Sequence, residues 1–430
     1  MNKVRDGYRM TEIGEIPNEW EIKSIGEIFD FSGGLSIPRA KLTNKGVNYL
    51  HYGDIHVRNE NYIDTEKDED WLPKIEDKFE EIKENVKLNS GDVVFADASE
   101  DYEGIGKSVV IFNDSEKPFV SGLHTIVAKD INNQLYKMYK RYCFSTNEVR
   151  KQFRYLAVGT SVYGISRENI KKIKINIPTI QEQEKIASIL STVDEQIDNV
   201  DALIEKNKEL KKGLMQNLLT KGIGHTKFKK TEIGEIPEEW EVRILGDIVE
   251  FSQGIQVSLE EQYEEYKYGY ERFLRIIDYT QKSKEYRYIK HPGERYLVKN
   301  NDVVMVRYGA TAGFVGTGLE GAIANNIFNF DTISKLIAGI AEAPVAIFKD
   351  LNILSWFKYT YKNSFNKTSL FGVILNILLP SIYEQKKITS VLFEVDKKLE
   401  EYENKKQKLE ELKKGLIQQL LTGKIRVIRI

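Results

Sequence analysis

Apolar residues recur at 4-3 spacing in two stretches of the chain. The first seam runs Ile186, Leu190, Val193, Ile197, Val200, Ile204, Asn207 and Leu214. The second runs Ile388, Leu392, Val395, Leu399, Tyr402 and Leu409, with Lys406 interrupting it. Seams of this kind, with dense charge on the remaining positions, predict long coiled-coil helices. Each follows a proline (Pro178, Pro380), which a helix interior excludes, and each ends near "LLTKG" or "LLTGK". At 1.5 Å per residue such a helix spans about 57 Å. Because both travel the same path, an antiparallel pair within one molecule, with a pseudo-twofold axis, is the expected arrangement.

Between the seams the pattern shortens to runs of strand length. "GDVVFADAS", "KSVVIF" and "HTIVAKD" read as strands, as do "NDVVMVRYG" and "NIFNFD". "VILNILL" (Val373 to Leu379) is the longest apolar run and reads as a buried strand. "NNQLYKMYKRYCFSTNEVRKQFRYLA" has helical spacing and a basic face. No run approaches the ~20 apolar residues that span a bilayer. The start, "MNKVRDGYRM", lacks the apolar core of an export signal, so a cytoplasmic location is expected.

The chain repeats itself. "TEIGEIPNEWE" (Thr11 to Glu21) returns as "TEIGEIPEEWE" (Thr231 to Glu241), and 15 of 24 positions match when both are extended to Gly34 and Gly254. The two helical segments, Gln183 to Thr220 and Gln385 to Thr422, match at 18 of 38 positions without a gap. A third echo pairs "NSGDVVFAD" (Asn89 to Asp97) with "KNNDVVMVR" (Lys299 to Arg307). The ends of both copies are alike and the material between them differs, which describes a frame holding a variable insert. The expected domains are 1–180, a first spacer helix 181–222, a second insert with its frame 223–382, and a second spacer helix with tail 383–430. The fold class expected is α+β.

The formal net charge of -2 excludes an overall basic coat, but charge is unevenly placed. Glu60 to Lys117 holds 18 acidic and 7 basic residues, whereas Tyr136 to Lys174 holds 10 basic and 2 acidic. Tyr270 to Lys299 carries 8 basic against 4 acidic, interleaved with six aromatics. Local basic surfaces are therefore available. A single cysteine, Cys143, excludes internal disulfides and Cys-based zinc sites.

Catalytic motifs do not hold up. "EGIGKS" ends like a phosphate-binding loop, but the required first glycine is Asp101. "GTGLEG" has the spacing of a dinucleotide turn without the helix or the later acid. His51, Asp54 and His56 could bind a metal, yet the other histidines are scattered and no ligand set is expected. No Asn-Pro-Pro-Tyr-like tetrapeptide, paired carboxylates or Ser/His grouping stands out. Neither catalysis nor a cofactor of the chain's own is expected.

Recognition remains. A stiff spacer with two unlike inserts suits reading two places on duplex DNA, where Lys and Arg supply affinity and polar loop residues read base edges. By residue chemistry and position near loops or strand ends, the candidates in the first insert are Arg39, Lys41, His51, Tyr52, Asp54, His124, Thr160, Ser161 and Tyr163. In the second they are Arg275, Asp278, Tyr279, Arg307, Tyr308, Asn325, Asn326, Lys367, Thr368 and Ser369. Arg150, Lys151, Arg154, Lys171, Lys172 and Lys174 form the candidate phosphate-binding group.

The paired "TEIGEIPxEWE" phrases, the "PTIQEQEKI" and "PSIYEQKKI" starts of the heptads and the "LLT" exits resemble the specificity subunit of type I restriction–modification systems, over the whole chain. The resemblance implies two α/β target-recognition domains separated by antiparallel spacer helices, each reading half of an interrupted site. It further implies two modification subunits carrying S-adenosylmethionine, and restriction subunits using ATP and Mg. Trp20, Trp240, Glu182 and Glu384 match framework motifs, which makes them structural or partner-facing. One departure is the exit of the second insert, "GVILNILLP", six residues shorter than "GISRENIKKIKINIP" and without its charge. A rearranged edge or a weakened reading of DNA is the expectation there. The competing readings are a coiled-coil adaptor that binds proteins through both ends, and a self-contained methyltransferase.

Overall fold

In the computed structural model the described residues run from 4 to 427, apart from 245–248, 282, 301, 308, 310, 312–313 and 333–375. Both expected long helices form, Ile180–Lys221 and Ile382–Leu420. They are too polar to cross a membrane, as is every helix among the described residues. The chain folds into two compact units, one of Met1–Val200 with Lys405–Ile430 and one of Asp201–Asn404. Each long helix is thus shared, its first half in one unit and its second in the other.

The first unit is built on a five-stranded sheet ordered Phe29–Gly33, Thr125–Asp130, Val93–Ala96, Ser108–Phe112 and Tyr62–Asp64. All neighbours are antiparallel except the last pair. "VVFA" is apolar throughout because both faces of the sheet are covered, and successive side chains of a strand point to opposite faces. Val93 and Phe95 face a core completed by Tyr139, Phe144, Val149 and Phe153 of the basic helical stretch. Val94 and Ala96 face a second core with Leu50, Ile55 and Phe119. Leu50 and Phe119 belong to a smaller sheet, Phe119–Ser121, Val47–Leu50 and Lys74–Ile75, whose first pair is parallel. Cys143 lies in the first core, where burial pushes its thiol pKa up.

The same unit closes with pieces of both long helices. Ile186, Ala187 and Leu190, near the start of the first helix, pack in one core with Leu416, Ile417 and Leu420, near the end of the second. Start beside end makes the local pair antiparallel. Asp194 ties it to the insert, forming an ion pair with Lys413 at 2.6 Å and accepting from Arg141 at 2.9 Å and the Tyr142 hydroxyl at 2.6 Å.

The second unit repeats the plan. One sheet orders Val249–Gln253, Ile327–Thr332, Val303–Val306 and Val315–Gly316, all antiparallel. The other orders Tyr288–Lys290, Tyr270–Leu274, Gly321–Ile323 and Leu297–Val298, with the central pair parallel. Leu214, Met215 and Leu218 at the end of the first helix pack against Ile388 and Leu392 at the start of the second. The third sequence echo is a repeated turn. Asn89 N–H donates to Asp92 Oδ2 and Lys299 N–H to Asp302 Oδ2, both at 2.8 Å, just before the equivalent strands. The "VILNILL" run yields the strand Asn376–Leu379, paired with Glu241–Ile244. Its Leu378 and Leu379 are half-buried, not buried as expected, and Val373 to Leu375 lie outside the described residues.

Candidate nucleic-acid interface

The repeated phrase "EIPxEW" finds its use at the base of each unit. The buried indole of Trp20 donates through Nε1 to Glu182 Oε2 at 2.7 Å, and that of Trp240 to Glu384 Oε2 at 2.9 Å. Each glutamate sits in the first turn of a long helix. Its remaining capacity is met by a basic side chain just past the end of the other long helix. Arg426 Nε donates to Glu182 Oε1 at 2.6 Å, and His225 Nε2 lies 2.9 Å from Glu384 Oε1. The glycines of the "LLTKG" and "LLTGK" exits make this possible. At Gly423 a Cβ would lie 2.4 Å from Pro17, and at Gly222 one would lie 2.3 Å from Glu384, both with positive φ. The four framework residues are therefore interior clasps. Arg426 and His225 escaped sequence reasoning because they differ in kind and lie outside the aligned segments.

In the first unit most of the candidates fall on one continuous strip. Strand Val47–Leu50 runs into the short helix Tyr52–Val57, whose Tyr52 N–H donates to Leu123 O at 3.3 Å. The ring of Tyr52 stands edge-on to His124, centroids 5.3 Å apart, and beside His51 at 4.6 Å. His124 Nδ1 lies 3.1 Å from Asp97 Oδ1. Asp97 O then accepts from Ile165 N–H at 2.8 Å, and Ser99 and Ala98 pair with Tyr163 and Gly164. Tyr163 packs on Tyr102 at 5.1 Å, and the exposed loop with Thr160 and Ser161 completes the strip. That loop is tight: a Cβ at Gly159 would sit 2.0 Å from Val162 O. Arg39 and Lys41 are exposed on a short 3-10 turn, Arg39 within 3.9 Å of the Cβ position of Gly53.

Asp54 and His51 join the strip in another capacity. Asp54 Oδ2 accepts from His51 N–H at 3.1 Å, and His51 Nδ1 accepts from Gly53 N–H, also at 3.1 Å. Together they cap the helix N-terminus, satisfying N–H groups that have no partner in the helix. Burial raises the Asp54 pKa and lowers that of His51. Both therefore position the helix and its flanking turn. With His56 Nε2 bonded to Ala98 O at 2.8 Å, all three members of the weighed metal set have local hydrogen bonds. No group of three or more His, Cys, Asp or Glu among the described residues could hold a metal ion.

The candidate phosphate group divides between Arg150 and Arg154, which are engaged by the protein, and four lysines at the surface. Arg150 donates to the carbonyls of Glu103 at 2.8 Å, Ile105 at 2.6 Å and Gly106 at 3.3 Å. Burial, with Arg154 nearby, lowers its pKa to about 10. It holds a loop and is not open to phosphate. Arg154 pairs with Glu103 at 2.6 Å, Lys171 with Glu168 at 2.8 Å and Lys174 with Glu12 at 2.5 Å. Lys172 Nζ is 3.4 Å from Asn169 Oδ1, and Lys151 is exposed. A basic run in sequence says nothing about which carbonyls and acids will meet it.

In the second unit the helix Ile276–Thr280 repeats the cap. Arg275 N–H donates to the buried Asp278 Oδ2 at 2.8 Å. The Arg275 side chain returns to the same oxygen at 3.2 Å and to Glu285 O at 2.5 Å. Tyr279 packs with Leu274, Val298 and Val304, and burial pushes its pKa up. Asp278 thus caps the helix and Tyr279 packs on the sheet. Arg307 N–H donates to Asn326 O at 2.8 Å, and its guanidinium lies over Phe328, 5.3 Å from the ring centre. Asn325 Nδ2 donates to Gln256 Oε1 at 3.2 Å. Tyr308, Lys367, Thr368, Ser369 and the first four residues of the shortened exit lie outside the described residues.

The comparisons with known proteins bear on both units. The family described as "Type I restriction modification DNA specificity domain" matches residues 17–211 and again 237–411. A Methanocaldococcus jannaschii chain assigned to the type I restriction enzyme MjaX as its specificity subunit is 29% identical, covering 98% of this chain and 97% of that one. Among solved structures, the S subunit of a Mycoplasma genitalium type I restriction–modification system aligns over 96% of this chain and 99% of its own, at 17% identity and a TM-score of 0.54. A chain from a study of assembly and conformational transition in the type I R-M system aligns over 95% and 99%, at 16% identity and a TM-score of 0.60. At these identities the structures speak to the fold.

Proposed function

The chain belongs to the type I restriction modification DNA specificity domain family, and on that premise we propose that it reads a two-part, interrupted duplex target and holds it for partner subunits. The observation that carries this reading is the doubled frame. It places unlike side chains at register-equivalent strand ends, His124 and Asp97 in one unit, Asn326 and Arg307 in the other. A twice-built scaffold with different surface chemistry suits two half-sites of different sequence.

The chain itself supplies recognition and no catalysis. Methyl transfer to adenine would be the work of two modification subunits with S-adenosylmethionine, which must extrude the base from the stack. ATP and Mg would act on restriction subunits. Two equal docking sets support the count of two. Ile180, Ile189 and Leu412 are exposed in the first unit, and Ile382, Val391 and Leu210 in the second. Each pair is separated by 202 residues, and Leu210 and Leu412 are 51% and 50% exposed.

The test is binding of the full chain, alone and with its modification subunits, to duplex fragments at rising salt. Neutralising 6–10 phosphates should cost roughly 10³-fold or more in affinity between about 50 and 200 mM salt. The assembled complex should contain two modification subunits. Affinity indifferent to salt would favour the protein-binding adaptor instead.

A further inference from the structure

Resting on the DNA-reading function above, the geometry points to Asp97 and Arg307 as register-equivalent specificity positions. Asp97 accepts an amino hydrogen from adenine or cytosine in one half-site; Arg307 donates to O6 and N7 of guanine in the other. Asp97 was not among the residues that sequence chemistry singled out.

The equivalence is structural as well as sequential. Asp97 directly follows strand Val93–Ala96, and Arg307 directly follows Val303–Val306. In the first unit Ala96 pairs with Thr125, and in the second Val306 pairs with Ile327. One residue further, Asp97 N–H donates to His124 O at 3.1 Å and Arg307 N–H to Asn326 O at 2.8 Å. The two side chains therefore leave corresponding points of corresponding sheets, beside helices that carry the same cap.

Asp97 is held for a purpose. Its N–H and C=O are both engaged, so its Cα–Cβ direction is fixed. His124 Nδ1–H donates to Oδ1, while no hydrogen bond to Oδ2 is found among the described residues. His124 itself takes a left-handed backbone, φ +55, which favours glycine. Strained non-glycine residues of this kind gather at ligand sites. The pair is partly exposed, 51% for the imidazole and 32% for the carboxylate, and lies on the strip with Tyr52 and Tyr163.

The chemistry then dictates the base. A carboxylate has acceptors only, so in the major groove it suits N4 of cytosine or N6 of adenine and is repelled by O6 and O4. A guanidinium has donors only and matches the O6/N7 edge of guanine. Opposite charges at the same register predict opposite demands on equivalent bases of the two half-sites.

The test selects duplexes from a pool of random sequence with the full-length chain, comparing wild type with D97N, D97A and R307A. Wild type should recover a two-part site. R307A should lose preference for one guanine in one half, on the order of tenfold or more, and leave the other half unchanged. D97A should lose preference for one adenine or cytosine in the opposite half. The near-isosteric D97N should keep the fold and shift that position toward adenine, whose N6/N7 edge matches an amide. An unchanged site in D97A or R307A, or changes confined to the same half in both, would overturn the assignment. So would loss of all binding in D97N with an unchanged melting temperature. A wild-type chain that recovers no two-part site would sink the underlying reading and this assignment together, so the two failures are distinguishable.

Discussion

Glu182→Ala lowers the stability of the unit that contains it by about 3–5 kcal/mol, and Glu384→Ala, its counterpart, by only about 1–3 kcal/mol. The two carboxylates occupy the same place and both accept from a buried tryptophan. What differs is the basic partner. Burial opposes the charge on Arg426, yet hydrogen bonds from its guanidinium to Glu182 and Glu19 hold its pKa above the usual arginine value. Without Glu182 the guanidinium, 18% exposed, keeps its charge and loses its closest partner. At the other clasp the partner is an imidazole and not a guanidinium, so removing Glu384 strands no obligatory charge. Thermal unfolding of the two full-length variants measures the difference, with a midpoint drop of roughly 10 °C for the larger loss. A larger drop for Glu384→Ala would contradict the clasp as described.

Lengthening both long helices by one matched heptad should widen the gap between half-sites by about three base pairs. Seven residues add about 10 Å of helix, and each base pair of duplex rises about 3.4 Å. The insertions belong between Val200 and Asp201 and between Asn404 and Lys405, where each helix passes from one compact unit to the other. Insertions there leave each unit's clasp untouched. Affinity for the original site should fall by about 10³-fold or more, toward non-specific binding. Selection from random duplexes should return the original half-sites with the wider gap. An unchanged gap would show that the helices do not set the distance.

Much of this architecture was legible in the sequence. The 4-3 seams located both long helices, because buried Ile186, Leu190, Ile388 and Leu392 must recur along one helix face. The repeated phrases located the clasps, since a tryptophan and a glutamate far apart in sequence recur together only when something joins them. The continuous apolar runs located the central strands, whose two faces are both covered.

The candidate site was legible only in part. His124, Tyr52 and Tyr163 were singled out and do meet on one strip. The capping roles of Asp54 and Asp278 were hidden because their cap partners are His51 and Arg275, not the Ser or Thr that usually announces a helix start. The hold of Arg150 on a loop was hidden because attraction to three backbone carbonyls leaves no trace in the composition of a segment. Asp97 was passed over although its alignment with Arg307 was visible. An acid among basic and aromatic candidates becomes meaningful only once His124 is seen holding it.

The most direct measurement of the two-reader account is a genome-wide map of adenine methylation in cells with and without this chain. The account predicts that one motif disappears, made of two short unlike sequences separated by a fixed stretch of any sequence. Loss of a single uninterrupted motif, or a map that does not change while the modification subunits are present, would contradict it.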